Sequence, residues 1–368
     1  MSETFKKLNM VIPGPMPLHP EVQLAYCKPM ISHRSSEFGE IYGETMRLAK
    51  EVFKTRNDVF IMSSSGTGAL ESSVANLLNV EDKVVIANNG LFGEHMADTI
   101  SSYGIEPVVL KEAYGKPVTP EGIAAVLREN PDSKALFIIH NETSAGVISD
   151  LEGIAGEARR ISRDILIIVD AVSSLGGVNI ETDNWDLDVV VASSQKALAA
   201  PPGLCLISIS DRAWKAAESS KLPKYYFDWH RLKNESVRNM PFTTPPVHIV
   251  FALRRALQLL LQEGLENVFN RNRAMRDMIL DAIGPIGLTL VPERKYASPT
   301  CTALRLPGGI NSVKFRDHVF NRYSTLLGPG LGDLSADTFR IGHMGYIFPN
   351  DILLTLKILE LALKDFGF

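Results

Sequence analysis

The chain has few cysteines, little net charge and no long apolar run. Three cysteines in 368 residues, Cys27, Cys205 and Cys301, are too few and too scattered for a disulfide framework or a metal site, which fits a reducing compartment. A net charge of −4 without a dense basic patch argues against nucleic acid as a partner. No run approaches the roughly 20 apolar residues of a membrane helix, and the amino terminus lacks the apolar stretch of a signal peptide. We therefore expect a cytoplasmic protein that binds neither membranes nor nucleic acid.

Short apolar strands alternate with helical patterns from Val59 to about Gln195. Six segments rich in Val and Ile predict strands buried on both faces: Val59–Met62, Val84–Ala87, Pro107–Leu110, Ala135–His140, Ile165–Val169 and Val189–Ala192. Helical patterns between several of them are typical of βαβ units and a mainly parallel sheet. A further strand is predicted from Gly203 to Ser208, after a Pro-Pro pair.

The length favours one large and one smaller domain. We predict a large α/β domain over residues 11–263 and a smaller α+β domain over residues 264–368, which about residues 1–10 join. Two short strand patterns and several helices fall in the smaller domain. A long helix over about Pro246–Glu263 separates the two, because Gly264 is a helix stop signal.

Two other segments stand apart from this alternation. Helical periodicity predicts a helix from Ser36 to about Thr55. The stretch Leu222–Pro246 is aromatic, basic and rich in proline, which predicts an excursion outside the core.

Two polar features follow predicted strands. The turn Ser63–Gly68 (Ser-Ser-Ser-Gly-Thr-Gly) precedes a helix, where free backbone N–H groups and hydroxyls can hold a phosphate. It is neither a P-loop nor a dinucleotide fingerprint, and a tight turn with an N-cap is the alternative. Asp170 directly follows Ile165–Val169, where open α/β sheets bind ligands, although it could also cap a helix.

Two basic residues complete the candidate site. Lys196 emerges from the strand Val189–Ala192, and burial lowers the pKa of a lysine, as a Schiff-base lysine requires. A surface lysine past a strand end is the alternative. Arg340 lies between apolar residues in Thr338–His343 and suits a carboxylate, although a structural ion pair is the commoner fate of such an arginine.

In this order, the four features fit one cofactor with a phosphate, a pyridinium nitrogen and an aldehyde. The chain resembles the class V aminotransferases of fold type I, most closely the alanine–glyoxylate and serine–pyruvate aminotransferases. This resemblance implies a mostly parallel, seven-stranded sheet in the large domain. The matching stretches run almost end to end and comprise Pro13–Pro15, Ser65–Glu71, Asn89–Gly93, His140–Gly146, Asp170–Gly177, Ser194–Leu198, Pro201–Gly203, Thr244–Pro246, Glu263–Leu265 and Arg340–Gly342.

The resemblance implies pyridoxal 5′-phosphate as cofactor and gives each residue a role. Lys196 forms an imine with it and, once substrate displaces the lysine, moves a proton between the substrate Cα and C4′ of the cofactor. Asp170 keeps the pyridine nitrogen protonated, and Phe92 stacks on the ring. The phosphate is held by Ser65, Gly66, Thr67 and Gln195.

Further roles concern the substrate and the second subunit. Thr143 is expected at the ring's phenolic oxygen, and Arg340 is expected to bind the substrate carboxylate bidentately. The family's homodimer completes each site across the interface, and Thr244 matches a phosphate-binding position contributed by the partner. Pro241 stands where the family usually has a tyrosine, which leaves open whether the partner completes the phosphate site in the same way.

The resemblance predicts transfer of an amino group from a small amino acid, serine or alanine, to glyoxylate or pyruvate by a ping-pong cycle. A 2-aminoethylphosphonate or ureidoglycine transaminase is the alternative within the class. A lyase such as a cysteine desulfurase needs a nucleophilic cysteine on a mobile loop, whereas Cys205 and Cys301 lie in strand-like contexts. Retention of Asp170, Lys196 and Arg340 speaks against a non-catalytic scaffold subunit. His33, Arg34 and the entry segment near Pro13-Gly14-Pro15 are candidates for contacts with the substrate side chain, with ordinary loop residues as the alternative.

Overall fold

The computed structural model describes residues 7–368. Residues 1–6, which were predicted to join the smaller domain, lie outside the described residues. The strands are β1 Asn9–Val11, β2 Asp58–Met62, β3 Val84–Asn88, β4 Val108–Lys111, β5 Ala135–Ile139, β6 Asn141–Glu142, β7 Val147–Ile148, β8 Leu166–Asp170, β9 Val189–Ser193, β10 Cys205–Ile209, β11 Thr289–Leu290, β12 Cys301–Arg305, β13 Thr325–Pro329 and β14 Thr338–Gly342. The helices are α1 Pro20–Tyr26, α2 Ser36–Phe53, α3 Gly66–Leu77, α4 Leu91–Ser102, α5 Pro120–Glu129, α6 Leu151–Ile161, α7 Asp211–Ala217, α8 Trp229–Ser236, α9 Val247–Glu263, α10 Leu265–Ala282, α11 Ser312–Tyr323 and α12 Pro349–Asp365.

Seven strands form the larger sheet, in the order β2-β10-β9-β8-β5-β3-β4. Strand β10 pairs antiparallel with both β2 and β9, and the other neighbouring pairs are parallel. Every strand predicted for this sheet is present, with ends within two residues of the prediction. The predicted mostly parallel, seven-stranded α/β architecture is therefore confirmed.

The central strands are buried on both faces because helices cover both sides of the sheet. Val84 and Ile86 point into one apolar core, whereas Val85 points into the other. Since side chains alternate along a strand, a run of Val and Ile without polar interruptions is what a sheet between two helical layers requires.

A second sheet has the order β1-β13-β14-β12-β11. Strand β1 pairs parallel with β13, and the remaining pairs are antiparallel. Residues of α10, α11 and α12 form its core. The prediction of only two strands after Gly264 is wrong: four are present, and β11, with two residues, is too short to give a pattern. Helix α9 ends at Glu263 as predicted, and the division into domains at that point stays a prediction.

The stretch Leu222–Pro246 is only partly the excursion that the sequence predicted. It contains α8, in which Trp229 is fully buried and donates its indole N–H to Ser72 Oγ at 3.1 Å. Leu222 and Leu232 are buried in the same core. The prediction is wrong for these residues, because the surrounding prolines and charges hide one short amphipathic helix. Among residues 7–368, no helix is both long and apolar enough to cross a bilayer.

Candidate active site

One edge of the larger sheet collects most of the predicted site residues. Strand β2 runs in the same direction as β9, because β10 is antiparallel to both. The carboxyl ends of β2, β5, β8 and β9 therefore meet at this edge, where open α/β sheets bind ligands. A cavity of about 220 Å³ lies there, and its walls include Ser65, Gly66, Thr67, Phe92, Asp170, Gln195 and Lys196.

The turn after β2 has the geometry of an anion site. Ser65 caps α3 by accepting the N–H of Gly68 on its hydroxyl oxygen at 3.3 Å. The amides of Gly66 and Thr67 belong to the first helical turn, which has no intrahelical acceptors for them and carries the positive end of the helix dipole. A Cβ at position 66 would lie 2.3 Å from Val172 Cγ2, so glycine lets this turn pack against the segment that follows Asp170.

Asp170 ends β8 with its side chain toward the cavity. Its Oδ1 accepts the backbone N–H of Val172 at 2.8 Å. Burial raises the pKa of Asp170 to about 6, and the bond from Val172 opposes the increase. Because burial disfavours the ionised form of this carboxyl group, a nearby cation such as a protonated pyridine nitrogen would stabilise that form strongly.

Lys196 follows β9 and reaches across to the amino-terminal segment. Its Nζ donates a hydrogen bond to the backbone oxygen of Pro13 at 2.6 Å. Burial lowers the pKa of Lys196, and the charge of Arg340 lowers it further, while Cys301 and Asp170 act in the opposite direction. A lower pKa leaves more of the amine neutral, and the neutral amine is the nucleophile toward an aldehyde.

Arg340 is buried in β14 and holds backbone oxygens instead of a carboxylate. Its Nε donates to the oxygen of Pro329 at 2.7 Å and its Nη1 to the oxygen of Thr143 at 3.1 Å. Within residues 7–368 it forms no ion pair with an Asp or Glu, so the alternative of a structural ion pair is not what the structure shows. Burial without a counter-ion lowers the pKa of the guanidinium, which favours the binding of an anion.

Three predicted residues, Thr143, Thr244 and Arg340, lie outside the cavity walls. Thr143 is buried, and its backbone oxygen contacts Arg340 and the thiol of Cys301. Thr244 is exposed, with its hydroxyl 3.4 Å from His33 Nε2, and Arg34 donates to the oxygen of Pro241 at 3.4 Å. None of His33, Arg34 and Thr244 lines the cavity.

The cysteines do not match the pattern of a desulfurase. Burial raises the pKa of Cys301 to about 11 and that of Cys205 to about 12, so both thiols are protonated at neutral pH. Both lie in strands rather than on a loop over the cavity, and Cys27 is exposed at the end of α1. No group of three or more His, Cys, Asp and Glu side chains in residues 7–368 is placed to hold a metal ion.

Two groups of the site were missed by sequence reasoning. The backbone oxygen of Pro13 contacts Lys196, and the buried carboxylate of Glu142 accepts the N–H of Phe92 at 3.0 Å. Glu142 could have been found, because it comes shortly after the predicted strand Ala135–His140, as Asp170 follows its own strand. The entry segment near Pro13 was a candidate for contact with the substrate side chain, but its contact with Lys196 was not predicted.

The residues present fit pyridoxal 5′-phosphate. Gln195 Oε1 is buried in the cavity wall and has no hydrogen-bond partner within residues 7–368, as expected of a group that meets a ligand. The amino end of α3, Asp170 and Lys196 surround one space and match a phosphate, a ring nitrogen and an aldehyde. Fold and site together define a pyridoxal-phosphate-dependent transferase of fold type I.

Comparisons with known proteins agree with this class. The family model "Aminotransferase class-V" matches residues 21–315. The serine–glyoxylate aminotransferase of Methylorubrum extorquens is 34% identical over 98% of this chain and 92% of its own length. A protein named soluble hydrogenase, small subunit, from a Synechococcus species is 38% identical over 98% of this chain and 94% of its own length. The crystal structure of the alanine–glyoxylate aminotransferase of a Nostoc species has a TM-score of 0.92 at 29% identity, covering 99% of this chain and 97% of that one. The chain belongs to the class V aminotransferase family, and it is a pyridoxal-phosphate-dependent transaminase.

Proposed function

We propose that this transaminase moves an amino group from serine or alanine to glyoxylate or pyruvate. The observation that carries the proposal is the position of Arg340, which is buried, has no carboxylate partner within residues 7–368 and lies close enough to Lys196 to lower its pKa. An arginine in this position suits the carboxylate that amino acids and 2-oxo acids share.

We propose that the residues divide the work as the resemblance implied. When bound, the cofactor supplies an aldehyde that takes up the amino group and a ring that accepts electrons from the substrate Cα. Lys196 is its point of attachment and, once free, the base and acid that moves the proton of Cα. Asp170 keeps the ring nitrogen protonated, and Arg340 holds the substrate carboxylate so that the Cα–H bond faces Lys196.

The names of the relatives support glyoxylate as the acceptor. The Methylorubrum relative is named for serine and glyoxylate, and the Nostoc structure for alanine and glyoxylate. Arg340 does not distinguish these substrates from ureidoglycine or 2-aminoethylphosphonate, since each reaction has an amino or oxo acid partner with a carboxylate. Pockets that differ by a methyl or hydroxyl group discriminate by only about 10–200-fold, so the preferred donor must be measured.

A panel of amino donors against glyoxylate and pyruvate, read by the amount of each product, tests the proposal. Serine and alanine are expected to give the highest kcat/KM with glyoxylate. Higher kcat/KM with ureidoglycine or 2-aminoethylphosphonate would assign the alternative, and sulfide release from cysteine would assign a lyase. Hydrogenase activity, measured in the same preparation, tests whether this protein has the activity for which the Synechococcus relative is named.

We also propose a homodimer whose sites are shared, with Thr244 directed to the partner's phosphate group. Its exposure, and its absence from the cavity of its own subunit, support this role. Hybrid dimers of Lys196→Ala and Thr244→Ala subunits provide the test. If Thr244 acts in trans, one of the two sites in each hybrid carries both changes and the other carries none, so hybrids recover activity that neither parent shows. Hybrids without such recovery would exclude sharing. A cytoplasmic location is in keeping with three free cysteines.

A further inference from the structure

Helix α4 is capped by side chains from a distant part of the chain. Its N-cap residue, Gly90, has no side chain to accept the first amides. Ser144 Oγ accepts the N–H of Leu91 at 3.1 Å, and Glu142 Oε2 accepts those of Phe92 at 3.0 Å and Gly93 at 3.3 Å. The first turn of α4, which carries Phe92, is thus fixed by the segment that follows β5.

The other carboxylate oxygen of Glu142 is also fully occupied. Oε1 accepts the backbone N–H of Ser144 at 2.9 Å and its hydroxyl at 2.6 Å. All four groups around the carboxylate are donors, so an acceptor-only side chain is required here. Burial raises the pKa of Glu142, and these four donors oppose the increase. A glutamine in this position has to direct its NH₂ group at other donors.

The contact leaves little freedom at the start of α4. A Cβ at position 90 would lie 2.5 Å from Glu142 Cγ, so the helix end is packed directly on this carboxylate. The residue between Glu142 and Ser144 is Thr143, whose backbone oxygen accepts Arg340 Nη1 at 3.1 Å. One short segment therefore contacts both the helix that bears Phe92 and the arginine proposed to bind substrate.

We propose that Glu142 is a positioning residue that holds the ring of Phe92 against the cofactor through the first amides of α4. The inference rests on the proposed stacking role of Phe92. Glu142 does not line the cavity, whereas Phe92 does. Its effect on cofactor binding passes through Phe92, so a change at one residue should reduce the effect of a change at the other.

The test compares Glu142→Gln, Phe92→Leu and the double variant with the natural protein. Glu121→Gln is the matched control, because Glu121 also lies in the first turn of a helix, α5, but is exposed. Cofactor affinity comes from fluorescence titration, and cofactor orientation from the circular dichroism band of the bound cofactor. Thermal unfolding of the cofactor-free proteins reports folding.

Glu142→Gln should weaken cofactor binding about tenfold or more and reduce the dichroism band. The reason is that hydrogen bonds to a charged group are stronger than those to a neutral one. In the Phe92→Leu background, Glu142→Gln should weaken cofactor binding by less than about threefold. An equal loss in both backgrounds, or an unchanged dichroism band, would overturn the proposal. If Phe92→Leu alone leaves cofactor binding unchanged, the proposed stacking role of Phe92 fails as well. The assay with a panel of amino donors still tests the proposed reaction separately.

Ser144→Ala is the second variant if Glu142→Gln does not fold. It removes one donor to Glu142 and the acceptor for Leu91, while the bonds to Phe92 and Gly93 stay. A smaller loss of affinity is expected, again reduced in the Phe92→Leu background. Full additivity with Phe92→Leu would contradict the coupling.

Discussion

The side-chain nitrogen of Lys196 lies 2.6 Å from the backbone oxygen of Pro13, 183 positions earlier in the chain. The next residue, Gly14, packs against the same side chain: a Cβ at position 14 would lie 2.7 Å from Lys196 Cδ and 2.8 Å from its Nζ. The amino-terminal segment therefore surrounds part of the side chain of Lys196, the lysine proposed to carry the cofactor.

Gly14→Ala should slow the attachment of cofactor to Lys196 by roughly tenfold. The backbone of Gly14 has φ +121°, which a residue with a Cβ adopts only at a cost of order 1–3 kcal/mol, and the added methyl group displaces the lysine. The rate of the absorbance change on adding pyridoxal phosphate to cofactor-free protein measures the effect. Gly156→Ala is the control, since no atom of the described part of the chain lies within 4 Å of a Cβ at that exposed helical position. An attachment rate equal to that of the control would refute the role of the segment.

Lys196→Ala should abolish the absorbance band at the edge of the visible range that comes from the covalently attached cofactor. Loss of the proton-transfer group should lower turnover by at least about 10²-fold. Spectra and product formation are measured together, with Lys116→Ala as control, because Lys116 is exposed and, among the described residues, forms an ion pair only with Glu293. A variant that kept both colour and turnover would end the assignment.

Arg340→Lys should raise KM for both the amino donor and the oxo acid, by roughly 10²-fold. The charge stays, but the planar fork that matches a carboxylate and holds the oxygens of Pro329 and Thr143 is lost. Steady-state kinetics with each substrate varied in turn measure the change. Arg305→Lys, at an exposed arginine that pairs with Asp337, should leave KM unchanged. Equal KM values in the two variants would remove Arg340 from the substrate site.

Asp170→Asn should stabilise the cofactor-free protein increasingly as the pH rises. Burial raises the pKa of Asp170 from 3.8 to about 6, so the native state binds this proton more tightly than the unfolded chain does. The natural protein therefore loses stability between about pH 4 and pH 6 through this group, and the asparagine variant does not.

The stability difference between the two proteins should grow by up to about 3 kcal/mol from pH 4 to pH 7. Urea denaturation at pH 4, 5.5 and 7 measures it. The control is Asp132→Asn, at an exposed carboxylate whose pKa is lowered by Lys83, so its difference should not rise over this range. A difference that stays constant for Asp170→Asn would show that its pKa is not raised.

Much of the site could be predicted because its central residues follow strands directly. Asp170 ends β8, Lys196 lies shortly after β9, and the turn before α3 follows β2. A strand of Val and Ile is recognisable from local sequence, and parallel strands place their carboxyl ends at one edge. The positions of these residues therefore followed from local patterns together with one rule of topology.

The missed contacts join distant segments through atoms that carry no sequence signal. The acceptor for Lys196 is a backbone oxygen, which every residue possesses. Glu142 acts on α4 from 50 positions away. Trp229 was misjudged because its burial depends on α3 and on the hydroxyl of Ser72, not on its charged and proline-rich neighbours. Tertiary packing decided each of these cases.

Strand β1 ends at Val11, two residues before Pro13, and is hydrogen-bonded to β13 of the smaller sheet. Lys196 follows β9 of the larger sheet. Only Ile12 separates Val11 from Pro13. Any shift of one sheet relative to the other must therefore change the distance between the amine of Lys196 and the backbone oxygen of Pro13. The reactivity of Lys196 should therefore depend on the relative placement of the two sheets, and probes attached near Asn9 should be avoided when it is measured.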